Sequence, residues 1–166
     1  MKGPRVLELG CGTGANVPHW GAGLRVTALD RSPHMLEHAQ RKAAGLARPA
    51  EFVQACAESL PFEAAQFDDV VTTFVLCSVQ GPAAMLSEIH RVLRAGGTLH
   101  MLEHLRSRGR AGRVMDCIAG PLYQLTGDHI ARDPAPLLAQ AGFSHSGTAQ
   151  FPLLLDIVRI IRATKR

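Results

Sequence analysis

Three glycines at alternate positions, Gly10, Gly12 and Gly14, follow directly on the apolar run Arg5-Val6-Leu7-Glu8-Leu9. A short buried strand that breaks at once into a glycine turn and then a helix lets backbone amides approach a ligand with no Cβ atoms in the way. The stretch reads as a cradle for a nucleotide-like ligand. By itself it leaves the ligand open, because Gly10, Gly12 and Ala15 also satisfy the G-x-G-x-x-G/A pattern of dinucleotide sites, with Asp30 at the distance expected of a ribose-binding acid.

The chain has 166 residues, 46% of them hydrophobic and 19% charged, which fits one domain with a sizeable core. A formal charge of +4 with scattered arginines and only 5% aromatic residues gives no basic, aromatic surface for nucleic acid. The four cysteines, Cys11, Cys56, Cys77 and Cys117, form no C-x-x-C pair and no secretory spacing, so reduced thiols in a cytoplasmic setting are expected. No metal site is expected either, since His34 and His38 lie in a helical pattern without an H-E-x-x-H arrangement. Met1-Lys2-Gly3-Pro4 lacks an apolar leader, and Phe151 to Leu155 is too short to span a bilayer.

The rest of the chain alternates strand and helix. Leu24 to Asp30 reads as a second strand, and Ser32-Pro33 supplies an N-cap and first-turn proline for a helix to Ala44. Glu51 to Ala55 is a third strand, and Glu58 to Gln66 is a loop. Phe67 to Cys77 has the β-branched, nearly continuous apolar pattern of a central strand covered on both faces. Pro82 to Leu93 is an amphipathic helix ended by Ala95-Gly96-Gly97, before a strand from Thr98 to Glu103. Beyond it a helix from Arg113 to Leu125 and another from Asp133-Pro134 to Gln140 precede two closing strands, Phe143 to Phe151 and Asp156 to Ala163. The pattern predicts an α/β fold: a single doubly wound, Rossmann-like sheet, mostly parallel, with a C-terminal antiparallel hairpin.

Taken together, Glu8-Leu9-Gly10-Cys11-Gly12-Thr13-Gly14, Asp30, Leu60-Pro61-Phe62, Phe67-Asp68 and Arg91-Val92-Leu93-Arg94-Ala95-Gly96-Gly97 resemble the class I S-adenosylmethionine-dependent methyltransferases, in the group called methyltransferase type 11. A closer likeness is to the methyltransferase-like thiol S-methyltransferases. It rests on Gly10 to Asn16, Val75-Leu76-Cys77-Ser78-Val79-Gln80-Gly81-Pro82, Glu103-His104, and Gly127-Asp128-His129 with Arg132-Asp133. The resemblance implies S-adenosylmethionine as donor and S-adenosylhomocysteine as product. It implies a cofactor set of Glu8, Gly10, Cys11, Gly12, Gly14, Asp30, Arg31, Met35, Ala57, Glu58 and Leu76, with Asp30 on the ribose and Met35 on adenine.

Three departures from the family pattern stand out. Cys56 occupies the place of an aspartate that serves the adenine amino group, leaving that task to the Ala57 amide or to Glu58. Ala95 replaces a proline. The chain also begins almost at strand one, so the N-terminal helices that usually cover the cofactor are expected to be lacking. Residues 5–103 are then the cofactor-binding core, 104–131 a candidate substrate lid and 132–166 the closing helix and strands, with a homodimer as the other candidate roof.

The resemblance favours a small-molecule acceptor, a thiol or sulfide first, with O-, N- or C-methylation of a phenol, amine, quinone precursor or lipid as alternatives. Cys77, His104 and His129 are the candidate catalytic residues, because they fall at or beyond strand ends, where open α/β sheets place ligands and where an imidazole can take a proton near neutral pH. A SAM-binding module without activity and a membrane-associated protein using Leu153 to Arg162 are the other function classes.

Overall fold

The computed structural model describes residues 3–104, 134–150 and 158–166. Its described strands form one seven-stranded sheet in the order β3-β2-β1-β4-β5-β7-β6. The elements are β1 (Arg5–Leu9), a single 3-10 turn (Val17–His19), β2 (Arg25–Asp30), α1 (Pro33–Gly45), β3 (Ala50–Gln54), β4 (Phe67–Thr73), α2 (Pro82–Val92), β5 (Leu93–His104), α3 (Pro134–Gln140), β6 (Phe143–Gln150) and β7 (Val158–Lys165). β1 to β5 are parallel, while β7 enters antiparallel between β5 and β6. The doubly wound sheet and its closing hairpin are as the sequence pattern predicts.

Alternation along the strands sends side chains to two cores. Leu7, Leu9, Leu29, Val70, Leu99 and Met101 pack against Met85, Leu86, Ile89 and Val92 of α2 and Leu138 of α3 on one face. On the other face Val26 and Ala28 pack with Trp20 and with Leu36, Ala39 and Ala43 of α1. Helices therefore cover both faces, as parallel strands require.

Three local expectations are corrected. The glycine stretch does not enter a long helix: it runs through turns into the Val17–His19 3-10 turn, with Pro18 inside it. The central strand ends at Thr73 rather than Cys77, because Phe74 takes a left-handed φ of +56° with no glycine to announce it. Ala95-Gly96-Gly97 does not cap α2, which stops at Val92; it forms the irregular start of β5, where the register with β4 shifts between Phe67 and Asp69. The expected helix from Arg113 to Leu125 lies outside the described residues.

The loop after β3 is tied down from α2. Glu88 accepts the Leu60 amide at 2.8 Å, and Arg91 donates to the carbonyls of Phe62 at 2.7 Å and Leu60 at 3.0 Å. The exit of β4 is tied to β5. Oε1 of the fully buried Glu103 accepts the Thr72 hydroxyl at 3.2 Å and the amides of Val75 and Leu76 at 3.1 Å each. Burial outweighs those three donors and pushes this carboxyl up to about 7, from an ordinary 4.5. Arg159 stands opposite it in the β5–β7 ladder.

Two stability predictions follow from this packing. A Cβ on Gly97 would lie 2.8 Å from the Asp68 carbonyl and 2.9 Å from that of Arg94, whereas one on Gly96 meets nothing within 4 Å but sits at φ +72°. Gly97→Ala should lose about 2–3 kcal/mol by crowding backbone and Gly96→Ala about 1–2 kcal/mol by strain; chemical denaturation that ranks them in the opposite order would contradict this packing.

The raised Glu103 carboxyl means that the folded state binds more protons than the unfolded state between pH 4.5 and 7. Its contribution is thus fully present below pH 4.5 and is lost as pH rises through about 7. The stability of the natural protein relative to Glu103→Gln should fall by on the order of 3 kcal/mol across that window; a difference that does not vary with pH would show that the buried carboxyl is not shifted.

Candidate functional site

The order of strands reverses between β1 and β4, and the ends of neighbouring strands there diverge to leave a crevice. A cavity of about 510 Å³ opens at that point, lined among the described residues by Gly10, Gly12, Leu29, Asp30, Arg31, Ser32, Met35, Ala55, Ala57, Glu58, Thr73, Phe74, Val75, Ser78 and Val79. Its size lies in the range of small-molecule sites.

One wall is the exit of β1. The Leu29 carbonyl accepts the amides of Gly10 at 2.7 Å and Cys11 at 2.9 Å, which carries the β1–β2 pairing one step past the strand ends. The chain then turns back with Gly12 at φ +52°, and its amide donates to Oδ2 of Asp30 at 2.9 Å. A Cβ on Gly12 would point into open space, the space a ligand needs against this backbone. Gly10 is held to glycine for another reason: a Cβ there would fall 2.5 Å from Cγ2 of Val75, which forms the facing wall.

Asp30 anchors the rim. Its Oδ1 accepts the Ser32 amide at 2.9 Å, so each carboxylate oxygen holds one amide and keeps a lone pair for a ligand hydroxyl. The Ser32 hydroxyl in turn accepts the Met35 amide, capping α1 as its sequence predicts. Met35 is 38% exposed at the cavity edge rather than packed in the core beneath α1. Glu58 lines the opposite side while its Oε1 accepts the amides of Gln80 and Gly81 at 3.2 and 3.3 Å.

Of the cofactor residues expected from sequence, Gly10, Gly12, Asp30, Arg31, Met35, Ala57 and Glu58 come together on this lining. The others stand behind it. Glu8 is buried, accepting Trp20 Nε1 at 2.6 Å and Asn16 Nδ2 at 3.1 Å, and burial raises its carboxyl. Asn16 also reaches the Thr73 hydroxyl at 3.0 Å, which ties β1 to the end of β4. Gly14 lies under α1, where a Cβ would meet Ala39 Cα at 3.0 Å. Leu76 is core.

Burial, with the carboxylates of Glu8 and Asp30 close by, pushes the Cys11 thiol up to about 12, so it stays protonated at neutral pH. Cys77 is buried with its Sγ 3.3 Å from the Phe74 carbonyl, away from the lining. Cys11, Cys56 and Cys77 form no disulfide. His104 closes β5 opposite Val158, whereas His129 and the proposed lid beyond His104 lie outside the described residues.

Sequence reasoning missed Leu29, Ser32, Ala55, Thr73, Phe74, Val75 and Val79 as lining residues. Thr73, Phe74 and Val75 were hidden because Phe67 to Cys77 reads as unbroken strand; Ser78 and the Gln80-Gly81-Pro82 stretch are the signals of a turn there. Among the described residues no cluster of three metal-ligating side chains occurs, and no helix is long and apolar enough to cross a membrane.

Comparison with known proteins agrees with this geometry. Residues 7–120 match the family model described as a methyltransferase domain. A thiol S-methyltransferase of Rattus norvegicus is 34% identical over 145 residues, covering 84% of this chain and 59% of that protein. A phosphatidylethanolamine N-methyltransferase of Cereibacter sphaeroides is 36% identical over 121 residues, 71% of this chain and 60% of that protein. The chain thus spans about three fifths of the length of these relatives. In fold it is similar to a SAM-dependent methyltransferase of Methanosarcina mazei, with TM-score 0.78 and 24% identity over 99% of this chain and 93% of the other. An acidic strand end that holds its own glycine loop beside an open cavity fits the S-adenosylmethionine such domains use, and the chain belongs to the methyltransferase-domain family.

Proposed function

We propose that this chain transfers a methyl group from S-adenosylmethionine to a small-molecule acceptor, a thiol or sulfide in the first place. The observation that carries the donor half is the cavity in which the open face of Gly12, the Asp30 carboxylate and the exposed Met35 meet the β4 exit. In this reading Asp30 accepts the two ribose hydroxyls with its remaining lone pairs, and Met35 and Ala57 flank the adenine. Glu58, together with the Ala57 amide, takes the place left by Cys56. The amides and bare Cα atoms of Gly10 and Gly12 face the methionine portion.

The bound donor supplies the methyl group on a sulfonium, a leaving group good enough that positioning and exclusion of water can account for much of the rate. Thr73, Phe74, Val75, Ser78 and Val79 stand at the carboxyl end of β4, where an acceptor would approach. A thiol with pKa near 8.5 needs only a mild base at neutral pH, and His104 and His129 are the candidates. Cys77, buried off the lining with its Sγ on the Phe74 carbonyl, has a packing role in this reading rather than that of a nucleophile. Residues 104–131, or a second copy of the chain, would roof the acceptor, and the reduced cysteines fit a cytoplasmic setting.

The thiol preference is supported by the likeness to thiol S-methyltransferases. An amine or lipid acceptor is the second reading, on the strength of the Cereibacter sphaeroides relative.

Calorimetric titration should show binding of S-adenosylmethionine and S-adenosylhomocysteine and none of a nicotinamide dinucleotide; the reverse pattern would overturn the donor assignment. Asp30→Ala should weaken S-adenosylhomocysteine binding by about 1.5–3 kcal/mol through lost charge-assisted hydrogen bonds, and unchanged affinity would remove Asp30 from the site. With labelled donor, a side-by-side panel of thiols, phenols, amines and quinone precursors should give the fastest transfer to thiols. Transfer to phenols or amines with none to thiols would reverse the acceptor preference.

A further inference from the structure

Beyond Thr73 the backbone turns at Phe74, φ +56°, and donates the Phe74 amide to the Leu102 carbonyl at 2.8 Å. The next two amides, Val75 and Leu76, leave the ladder and converge on one oxygen of Glu103. Successive amides after a left-handed residue make a concave anion site, and here the anion is a side chain of the same protein. The turn that follows closes on the Val75 carbonyl, which accepts the amides of Ser78 at 3.0 Å and Val79 at 3.2 Å. Glu103 thus caps that turn from across the sheet, as an N-cap side chain does from within a helix.

Glu103 is fully buried and does not line the cavity, but what it holds does. Val75, Ser78 and Val79 are lining residues, and Cγ2 of Val75 fills the space where Gly10 lacks a Cβ. A carboxylate is a costly choice for this place, since Leu99 and Met101 on the same face of β5 are ordinary core residues and Oε2 has no partner among the described residues. An apolar residue would instead leave two buried amides unpaired. The gap between the glycine loop and the β4–α2 turn is therefore fixed through one carboxylate.

We propose that Glu103 is a positioning residue of the methyl-transfer site, acting through the Val75 and Leu76 amides to seat Val75 against Gly10 and so set the width of the donor cavity. The proposal rests on the reading of that cavity as the S-adenosylmethionine site. It makes Glu103 neither a ligand of the donor nor a base.

The test is S-adenosylhomocysteine affinity by calorimetry for the natural protein, Glu103→Gln, Glu103→Met and Val75→Ala, with thermal unfolding and circular dichroism to establish folding. Glu103→Gln keeps a carbonyl oxygen for both amides and should bind within about threefold of the natural protein. Glu103→Met, if folded, should bind at least about tenfold more weakly, because the two amides lose their acceptor. Val75→Ala leaves the carboxylate and its amides in place and removes only the side chain against Gly10; it should show a comparable loss, and it decides the matter if Glu103→Met does not fold.

A folded Glu103→Met or a Val75→Ala with natural affinity would overturn the proposal, as would a Glu103→Gln as weak as Glu103→Met. Failure of the natural protein itself to bind would overturn the donor reading and this proposal with it.

Discussion

The site depends on carboxylates that satisfy backbone amides where strands end. A parallel sheet leaves its last amides unpaired at the carboxyl edge, and in the loops there each amide needs an acceptor if it is to be held away from water. Asp30 takes the amides of Gly12 and Ser32, Glu58 those of Gln80 and Gly81, Glu88 that of Leu60, and Glu103 those of Val75 and Leu76. Four acidic side chains thereby fix the four loops, after β1, β2, β3 and β4, that surround the cavity. The cavity's shape is a consequence of that arrangement, with the two hydrophobic cores supplying the rigid floor.

Two of those carboxylates, Asp30 and Glu58, also line the cavity, and the difference between them and Glu103 is instructive. Asp30 at the rim retains a lone pair on each oxygen and can serve loop and ligand together. Glu103 is buried behind the wall, with its carboxyl raised toward neutrality, and can reach a ligand only through the residues it holds. Similar chemistry, placed at two depths, suits one group to the proposed ligand contact and the other to the proposed positioning role.

Much of this was legible in the sequence. The glycine spacing, the acid ending β2 and the Ser32-Pro33 helix start are local signals, set by backbone stereochemistry, and each stands where expected. The strand alternation was enough to give the sheet and its hairpin. What was hidden depends on contacts between distant segments: the turn at Phe74 has a β-branched, apolar sequence and is forced by Leu102 and Glu103 from a neighbouring strand. The resemblance makes Glu8 a cofactor residue, and only the fold shows that Trp20 and Asn16, 12 and 8 residues on, donate to its oxygens. Only the packing of α2 against the loop after β3 could show that Arg91, part of a family motif in sequence, holds the carbonyls of Leu60 and Phe62.

The proposed donor site lies between the glycine loop, Asp30 and the β4 exit. A crystal structure of the protein with S-adenosylhomocysteine tests that most directly. The expected complex has the ribose on Asp30, the adenine beside Met35 and Ala57, and the thioether sulfur between Gly12 and Val75, with Glu103 still on the amides of Val75 and Leu76. Ligand density elsewhere on the sheet, or a bound ligand with Asp30 turned away and its ribose held by other groups, would contradict it.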